Sequence, residues 1–378
     1  MSALVSIPSD DPLAVLDAVR IALDGGPALG LGMLGDPADE VPPGTAVVIA
    51  TSGSSGIPKR VVLSADALRA GAAATAARIG EGRWVLALPA GYVAGLQVLV
   101  RSLRADTDPV LIGGRFSPLA FAEATLMHAD GVPLYTSLVP AQVSTLLDAA
   151  DDPAVRAAVQ QYRAILVGGQ AIPEPIRERA ADAGMRLVRT YGSSETSGGC
   201  VYDGVPLDGV RVQQVAGELR IAGPTLATGY LGDAELTDRV FVTDAQGVRW
   251  YRTGDAGLVE EGVVRVHGRV DNVIVSGGVN ISLDRVERIV RGIPGFELAV
   301  VVGVPHPKWG ETPVIVAPRG AQLRRSEADH LQQAREVVGA QVGTAARPSR
   351  VILVDELAVL ASGKPDREAI TRLAAELH

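Results

Sequence analysis

Residues 45–64 read TAVVIATSGSSGIPKRVVLS. The first six are apolar and rich in β-branched side chains, the composition of a buried strand. The stretch ATSGSSGIPKR at 50–60 is dense in glycine and hydroxyl groups and closes on Lys59 and Arg60. Glycines let successive backbone N–H groups turn toward one anion, while hydroxyls and a lysine add donors and charge, so this stretch is suited to hold phosphate. It is not a Walker A loop. The pattern Gly-x-x-x-x-Gly-Lys-Ser/Thr does not fit, and a loop of that kind runs straight into a helix. Here RVVLS at 60–64 reads as a second strand and a helix starts only near Ser64. Pro58 stands where an uninterrupted helix would have to begin. The stretch reads as a strand–loop–strand phosphate clamp, with a polar hairpin turn as the competing reading.

The chain around this loop has 378 residues, room for about two or three domains and a substantial core. Hydrophobic residues make up 47% and charged residues 21%, ordinary for a soluble globular protein. A net charge of -8 argues against general nucleic-acid binding, though a few placed cations would suffice for a small anion. The single cysteine, Cys200, excludes an intramolecular disulfide. His128, His267, His306, His330 and His378 are scattered with no ligand spacing, so a zinc site is not expected. No basic segment followed by an apolar run opens the sequence, and no uncharged apolar run approaches membrane-spanning length. A cytoplasmic enzyme without a membrane span or nucleic-acid partner is the expectation.

Along the chain, residues 12–24 carry apolar positions at helical spacing and stop at Gly25-Gly26. The middle alternates short strands with helices: RWVLALPA, PVLIG, RAILVGG at 163–169, the helix PEPIRERAADAG and the strand RLVRTYG. This rhythm implies parallel sheets covered by helices. From about residue 208 short alternating strands suggest a smaller β-rich layer, and after Asp271 a compact α+β pattern begins. The expected fold class is α/β, with a large N-terminal domain over 1–270 of helix-covered, mostly parallel sheets plus the small β-rich layer. A small α+β C-terminal domain takes up 271–378.

Four further constellations carry chemistry. Tyr191-Gly192-Ser193-Ser194-Glu195-Thr196 follows a buried strand, at the carboxyl end of a sheet, where ligands bind in open α/β folds. Tyr191 can stack on a base, Ser194 can donate to a phosphate and Glu195 can hold Mg²⁺; a solvated turn would read the same way. Tyr251-Arg252-Thr253-Gly254-Asp255 ends on an aspartate able to accept both hydroxyls of a ribose, with an aspartate in a plain turn as the alternative. Gly268-Arg269-Val270-Asp271-Asn272 and Ser276-Gly277-Gly278-Val279-Asn280 form a turn-rich joint at the composition change, the place for a hinge. Leu360-Ala361-Ser362-Gly363-Lys364 places a lysine in a turn near the C-terminus.

Taken in order and spacing, TSGSSGIPK, YGSSET, YRTGD, GRVDNVIVSGG and SGK resemble the successive core motifs of the acyl-adenylate-forming superfamily of acyl-CoA ligases, peptide-synthetase adenylation domains and luciferases. The resemblance runs from Val47 to the end of the chain. It implies that a carboxylate is activated with ATP and Mg²⁺ to an acyl-AMP, from which a thiol displaces AMP. It implies that Thr51, Ser52, Gly53, Ser54, Ser55, Gly56 and Lys59 grip the β- and γ-phosphates. Gly169 and Gln170 lie along the adenine with Tyr191 and Gly192 beside it, Ser194 meets the α-phosphate, and Glu195 holds the Mg²⁺. Asp255 and Arg269 hold the ribose, and Lys364 bridges the attacking carboxylate and the α-phosphate. Asp271 is the hinge about which the C-terminal lid turns between half-reactions, and Ser276, Gly277 and Gly278 lie near the channel for CoA.

For the acid, LPAGYVAGLQVLVRSL at 88–103 and SLVPAQVSTLL at 137–147 look like the matching stretches of 2-succinylbenzoate–CoA ligases of menaquinone synthesis. That likeness implies Tyr92, Gly95, Arg101 and Ser137 as substrate-binding positions, with Arg101 taking the second carboxylate. The alternative for Arg101 is a solvated helix surface. Many relatives carry His where Tyr92 stands, so a gating role for that ring does not carry over. The phosphate loop also comes earlier than in typical members, which implies a reduced N-terminal subdomain and apolar surface for a homodimer to cover. Two other classes compete: an adenylation protein that loads a carrier-protein thiol, and a nucleotide-binding regulator, which would be expected to lack Lys364 or Glu195.

Overall fold

The computed structural model describes residues 2–32, 40–51, 59–320 and 326–377. Strands Thr45–Thr51 and Lys59–Ser64 pair antiparallel, from Thr45↔Ser64 to Thr51↔Lys59. Ser64 then caps the helix Ala65–Ile79, its Oγ accepting from the Ala67 N–H at 3.1 Å. The order strand, strand, helix is the one expected around the phosphate loop. Ser52, Gly53, Ser54, Ser55 and Gly56 lie outside the described residues.

The described strands form four sheets. In the first, Ser2–Ser6, Ala28–Leu31 and Thr45–Thr51 run parallel, and Gly229–Tyr230 adds antiparallel to Lys59–Ser64. In the second, Leu187–Ser193, Tyr162–Val167, Leu134–Leu138, Arg83–Leu86 and Val110–Leu111 are parallel neighbours, extended antiparallel by Gly198–Tyr202. Leu134–Leu138 and Tyr162–Val167 are buried nearly throughout, which is why they read as short apolar runs without alternation; Leu187–Ser193, expected as a buried strand, is only partly buried along its length. The third is the small β-rich layer of Arg211–Val215, Glu218–Ala222, Arg249–Glu260, Phe241–Thr243 and Val263–Arg269.

One continuous core joins the first two sheets to the helices Pro12–Leu23, Ala65–Ile79 and Val93–Arg104, through Val15, Leu31, Val47, Leu68, Leu96, Leu166 and Tyr202 among others. Val93–Arg104 is the innermost of these helices: every residue from Gly95 to Ser102 is buried. A helix buried all round should be apolar all round, yet this one carries Gln97 and Arg101. Gly95 seats its first turn, since a Cβ there would lie 2.1 Å from the carbonyl oxygen of Pro89.

The chain divides into two compact units. The first comprises 1–171, 180–253 and 259–265; the second comprises 172–179, 254–258 and 266–378. In the second, Gly310–Pro318 lies between Val300–His306 and Arg350–Val354, with the hairpin Val273–Ser276 and Val279–Ser282 alongside. Strand residues alternate between two cores, as the pleat requires. Val301, Ile315 and Val351 pack with the helices Leu283–Val290 and Glu327–Gln341, while Val300, Val302, Val314 and Ile352 pack with the helix Arg367–Glu376. Buried Glu287 ties these layers together. Its carboxylate accepts from the Val301 N–H at 3.0 Å and from Arg367 at 2.7 Å, and pairs with Arg291 at 2.9 Å. Among the described residues no helix is long and apolar enough to cross a membrane.

Gly95→Ala is expected to destabilise the protein by about 1–3 kcal/mol through overpacking against Pro89. The measurement is the urea midpoint, which should fall at unchanged slope; an unchanged midpoint would contradict this packing.

Candidate active site

The innermost helix supplies the first part of the site. Arg101 is only 6% exposed, so the solvated-surface alternative is excluded. Its guanidinium carbon lies 4.9 Å from the Trp84 ring centroid and its NH2 donates to the Tyr202 hydroxyl at 3.3 Å. Thr75 donates to the Gly71 carbonyl, so the Tyr202 hydroxyl, 2.9 Å away, donates to Thr75 and keeps a lone pair for the arginine. The Nε of Arg101 is buried with no partner. Among the described residues no carboxylate pairs with this cation; Glu81, which lines the small cleft beside it, pairs with Arg104 at 2.9 Å. Burial lowers the Arg101 pKa from its ordinary value, against a smaller raising effect of Tyr202. Tyr92 is the N-cap residue of the same helix, and Ser137 is buried on the strand Leu134–Leu138.

The second part is the turn after Leu187–Ser193. Tyr191 is half-buried against the main core, and a Cβ on Gly192 would lie 2.2 Å from the carbonyl oxygen of Gly198. Ser194–Thr196 forms a single 3₁₀ turn closed by Ser197, whose φ of 54° is left-handed. Three bonds hold Ser197 there. Its N–H donates to Ser194 O at 3.0 Å, its hydroxyl to Thr225 O at 2.9 Å, and its carbonyl accepts from Gln97 Nε2 at 2.7 Å. On the same sheet Gly169, at φ 84°, and Gln170 follow the end of Tyr162–Val167.

Glu195 meets an aromatic residue that sequence reasoning missed. Tyr230, on the short strand beside Lys59–Ser64, donates to Glu195 Oε1 at 2.9 Å. Lys59 Nζ lies 5.8 Å from the Tyr230 ring centroid, so the closing lysine of the phosphate loop and the turn carboxylate meet on one tyrosine. Burial, then the charges of Glu195 and Tyr251, raise the Tyr230 pKa and keep it a donor. Among the described residues no cluster of three or more His, Cys, Asp or Glu could cage a metal. A single carboxylate suits Mg²⁺, which keeps waters and substrate phosphates as its other ligands. Gln97 was missed too. The signal for it was a polar residue inside the apolar run at 93–100; the signal for Tyr230 was an aromatic between Gly229 and Gly232. Cys200 is buried with its thiol pushed up to about 12 by burial, and is not a nucleophile candidate.

The second unit holds the remaining predicted residues. Arg269 pairs side-on with Asp271 through Nε and Nη2, at 3.0 and 3.1 Å, and its Nη1 donates to Asp255 at 3.5 Å. Gly254, at φ 68°, makes room for it, since a Cβ there would lie 2.7 Å from the guanidinium. The Arg269 N–H is held by Asp284 at 2.6 Å. Gly277 and Gly278, both at positive φ, form the two-residue turn after buried Ser276, the arrangement that matches hairpin twist. Lys364 is exposed beside the tip of a small hairpin closed by the Val359↔Pro365 bridge, with Gly363 at φ 80°.

The family model described as AMP-binding enzyme matches residues 26–231, and that described as AMP-binding enzyme C-terminal domain matches 285–364. A probable 2-succinylbenzoate–CoA ligase of Mycobacterium tuberculosis (strain ATCC 25618 / H37Rv) is 37% identical over 379 residues, covering 98% of this chain and 91% of the relative. A solved structure of MenE from E. coli with bound OSB-AMS is 26% identical at a TM-score of 0.71, covering 92% of this chain and 72% of that one. The O-succinylbenzoate coenzyme A synthetase (MenE) from Bacillus subtilis, in complex with AMP, is 25% identical at a TM-score of 0.71, covering 86% of this chain and 68% of that one. The two family models are matched in order, and the mycobacterial likeness spans nearly the whole chain. The chain therefore belongs to the AMP-binding enzyme family.

Proposed function

We propose that this protein is an AMP-forming acid–CoA ligase that activates 2-succinylbenzoate with ATP and transfers it to CoA in menaquinone biosynthesis. The likeness to 2-succinylbenzoate–CoA ligases supports the reading, and the observation that carries it is Arg101. A buried guanidinium stacked on Trp84, with an unused Nε and no carboxylate partner among the described residues, is matched by an acid whose second carboxylate completes the pair.

In the first half-reaction one carboxylate of the acid attacks the α-phosphorus, the bond to the bridging oxygen breaks and pyrophosphate leaves. In the second the CoA thiolate attacks the acyl carbon and AMP leaves with the electron pair of the acyl–oxygen bond. Negative charge accumulates at the α-phosphate, so placed donors and cations supply the stabilisation. The loop from Thr51 to Lys59 holds the β- and γ-phosphates and Ser194 meets the α-phosphate. Gly169, Gln170, Tyr191 and Gly192 border the adenine. Glu195, whose Oε1 accepts from Tyr230, would hold Mg²⁺, which would supply positive charge to the phosphates. Asp255 and Arg269 take the ribose hydroxyls, and Lys364 bridges carboxylate and α-phosphate. Residues 271–378 act as the lid turning at Asp271, with Ser276, Gly277 and Gly278 along the CoA channel. A homodimer belongs to the same reading, resting on Leu13 and Ile21, 53% and 55% exposed on the N-terminal helix. Light scattering behind size exclusion should show a dimer at micromolar concentration, and a monomer would remove this part.

Lys364→Ala should cut acyl-AMP formation by at least about a hundredfold, while thioester formation from preformed acyl-AMP largely survives; equal loss of both steps contradicts the assigned role. Arg101→Met removes a buried cation and keeps its volume. The KM for 2-succinylbenzoate should rise by at least about thirtyfold with the KM for ATP unchanged. The thermal midpoint should hold or rise, because an unpaired buried charge has been deleted. A fallen midpoint with an unchanged KM would make Arg101 structural and remove the basis for the choice of acid.

A further inference from the structure

Gln97 stands one helical turn before Arg101, on the same face of the helix Val93–Arg104. It is 1% exposed. Because the Ser197 carbonyl can only accept, the amide atom 2.7 Å from it is the NH₂, which leaves Oε1 as the other amide atom. That Oε1 is buried without a partner, as is the Nε of Arg101. A desolvated acceptor and a desolvated donor thus sit at i and i+4, each carrying an unmet hydrogen bond. The backbone around Gln97 is bare: a Cβ on Gly71 would lie 3.2 Å from Gln97 Nε2, and one on Gly198 3.2 Å from Gln97 Cγ. The other end of the same amide holds left-handed Ser197, immediately after the turn that carries Ser194 and Glu195.

We propose that Gln97 is a specificity-determining residue for the acid. Its Oε1 and the Nε of Arg101 form a two-point receptor for a hydrated carboxylate: the arginine donates to a carboxylate oxygen, and the glutamine accepts from a water bound to that same carboxylate. Water-mediated bonds of this kind hold nearly as well as direct ones. The inference rests on the reading of the pocket as one for a dicarboxylic acid and adds the residue that selects it. Gln97→Glu opposes the arrangement most directly, since a carboxylate one turn from Arg101 competes with the substrate for it.

The experiment compares AMP release with 2-succinylbenzoate and with 4-oxo-4-phenylbutanoate, which lacks the ring carboxylate, in the unsubstituted protein and in Gln97→Met and Gln97→Glu. The KM for 2-succinylbenzoate should rise by about tenfold in Gln97→Met and by about a hundredfold in Gln97→Glu. Loss of the Ser197 brace lowers kcat for both acids alike, so the effect is read as the ratio of their kcat/KM values, which should fall by about tenfold in Gln97→Met and by about a hundredfold in Gln97→Glu. If Gln97 only braces Ser197, both acids lose kcat in proportion and their specificity ratio stays fixed; that outcome overturns the proposal. Should Gln97→Glu not fold, Gln97→Met alone decides through the same ratio. No AMP release with 2-succinylbenzoate from the unsubstituted protein would overturn the dicarboxylate reading and this inference together, whereas release with an unmoved ratio overturns the inference alone.

Discussion

A guanidinium in a protein core must be neutralised or solvated by fixed dipoles, and Arg101 has only part of what it needs. Trp84 supplies a π-face, and the chain from Tyr202 through Thr75 to the Gly71 carbonyl orients one hydroxyl lone pair toward it. These contacts lower the cost of a buried cation without supplying a counter-charge. The surrounding elements are arranged to keep this deficit. The helix Val93–Arg104 is enclosed on all sides, Gly95 lets it settle on Pro89, and Gly71 and Gly198 let the chain pack closely against Gln97. The stability forgone is consistent with a pocket prepared for an anion rather than one stabilised for its own sake.

The same helix reaches the turn Ser194–Thr196 through one amide. Gln97 holds the carbonyl of Ser197, a residue in a conformation that non-glycine residues seldom adopt, and that turn sets the direction of Ser194 and Glu195. Glu195 is in turn held by Tyr230, whose strand pairs with the one that begins at Lys59. Within the first unit, the helix Val93–Arg104, Glu195 and Lys59 are therefore linked by hydrogen bonds, a strand pairing and a cation–π contact. A displacement of any one alters the others, the mechanical requirement for placing a carboxylate against a phosphorus within a few tenths of an ångström.

Much of this was legible in the chain itself, for local reasons. Strand–loop–strand followed from Pro58 and from β-branched runs on both sides of the loop, and the helix expected from near Ser64 is capped by that residue's hydroxyl. The motif residues were legible because their order and spacing were read together. Tertiary relations were not legible. The sequence places Arg101 on a helix but does not say that the helix is enclosed. It offers Gln97 as one polar residue among apolar ones, with its partner a hundred positions away at Ser197. Tyr230 was passed over because a two-residue strand, Gly229–Tyr230, has no periodicity to detect.

In the second unit the charge arrangement sets a competition. Arg269 is proposed to hold a ribose, and its guanidinium pairs side-on with Asp271, the proposed hinge residue, while its Nη1 donates to Asp255 at 3.5 Å. Side-chain exposures of 48% for Arg269 and 66% for Asp271 place their pair in water, where such pairs contribute about 0–1 kcal/mol. A ribose held by Asp255 would draw the arginine away at little cost, and the backbone of Arg269 would stay fixed by Asp284 at 2.6 Å while only its side chain changed partner. Asp271 would then lose its clasp when nucleotide binds. If Asp271 is the hinge, an exposed ion pair there would respond to a ligand of modest differential affinity, whereas breaking the buried pair of Glu287 with Arg291, 7% and 9% exposed, would leave an uncompensated charge. The proposed lid thus combines an exposed, exchangeable clasp at Asp271 with a buried carboxylate, Glu287, that joins the layers of its interior.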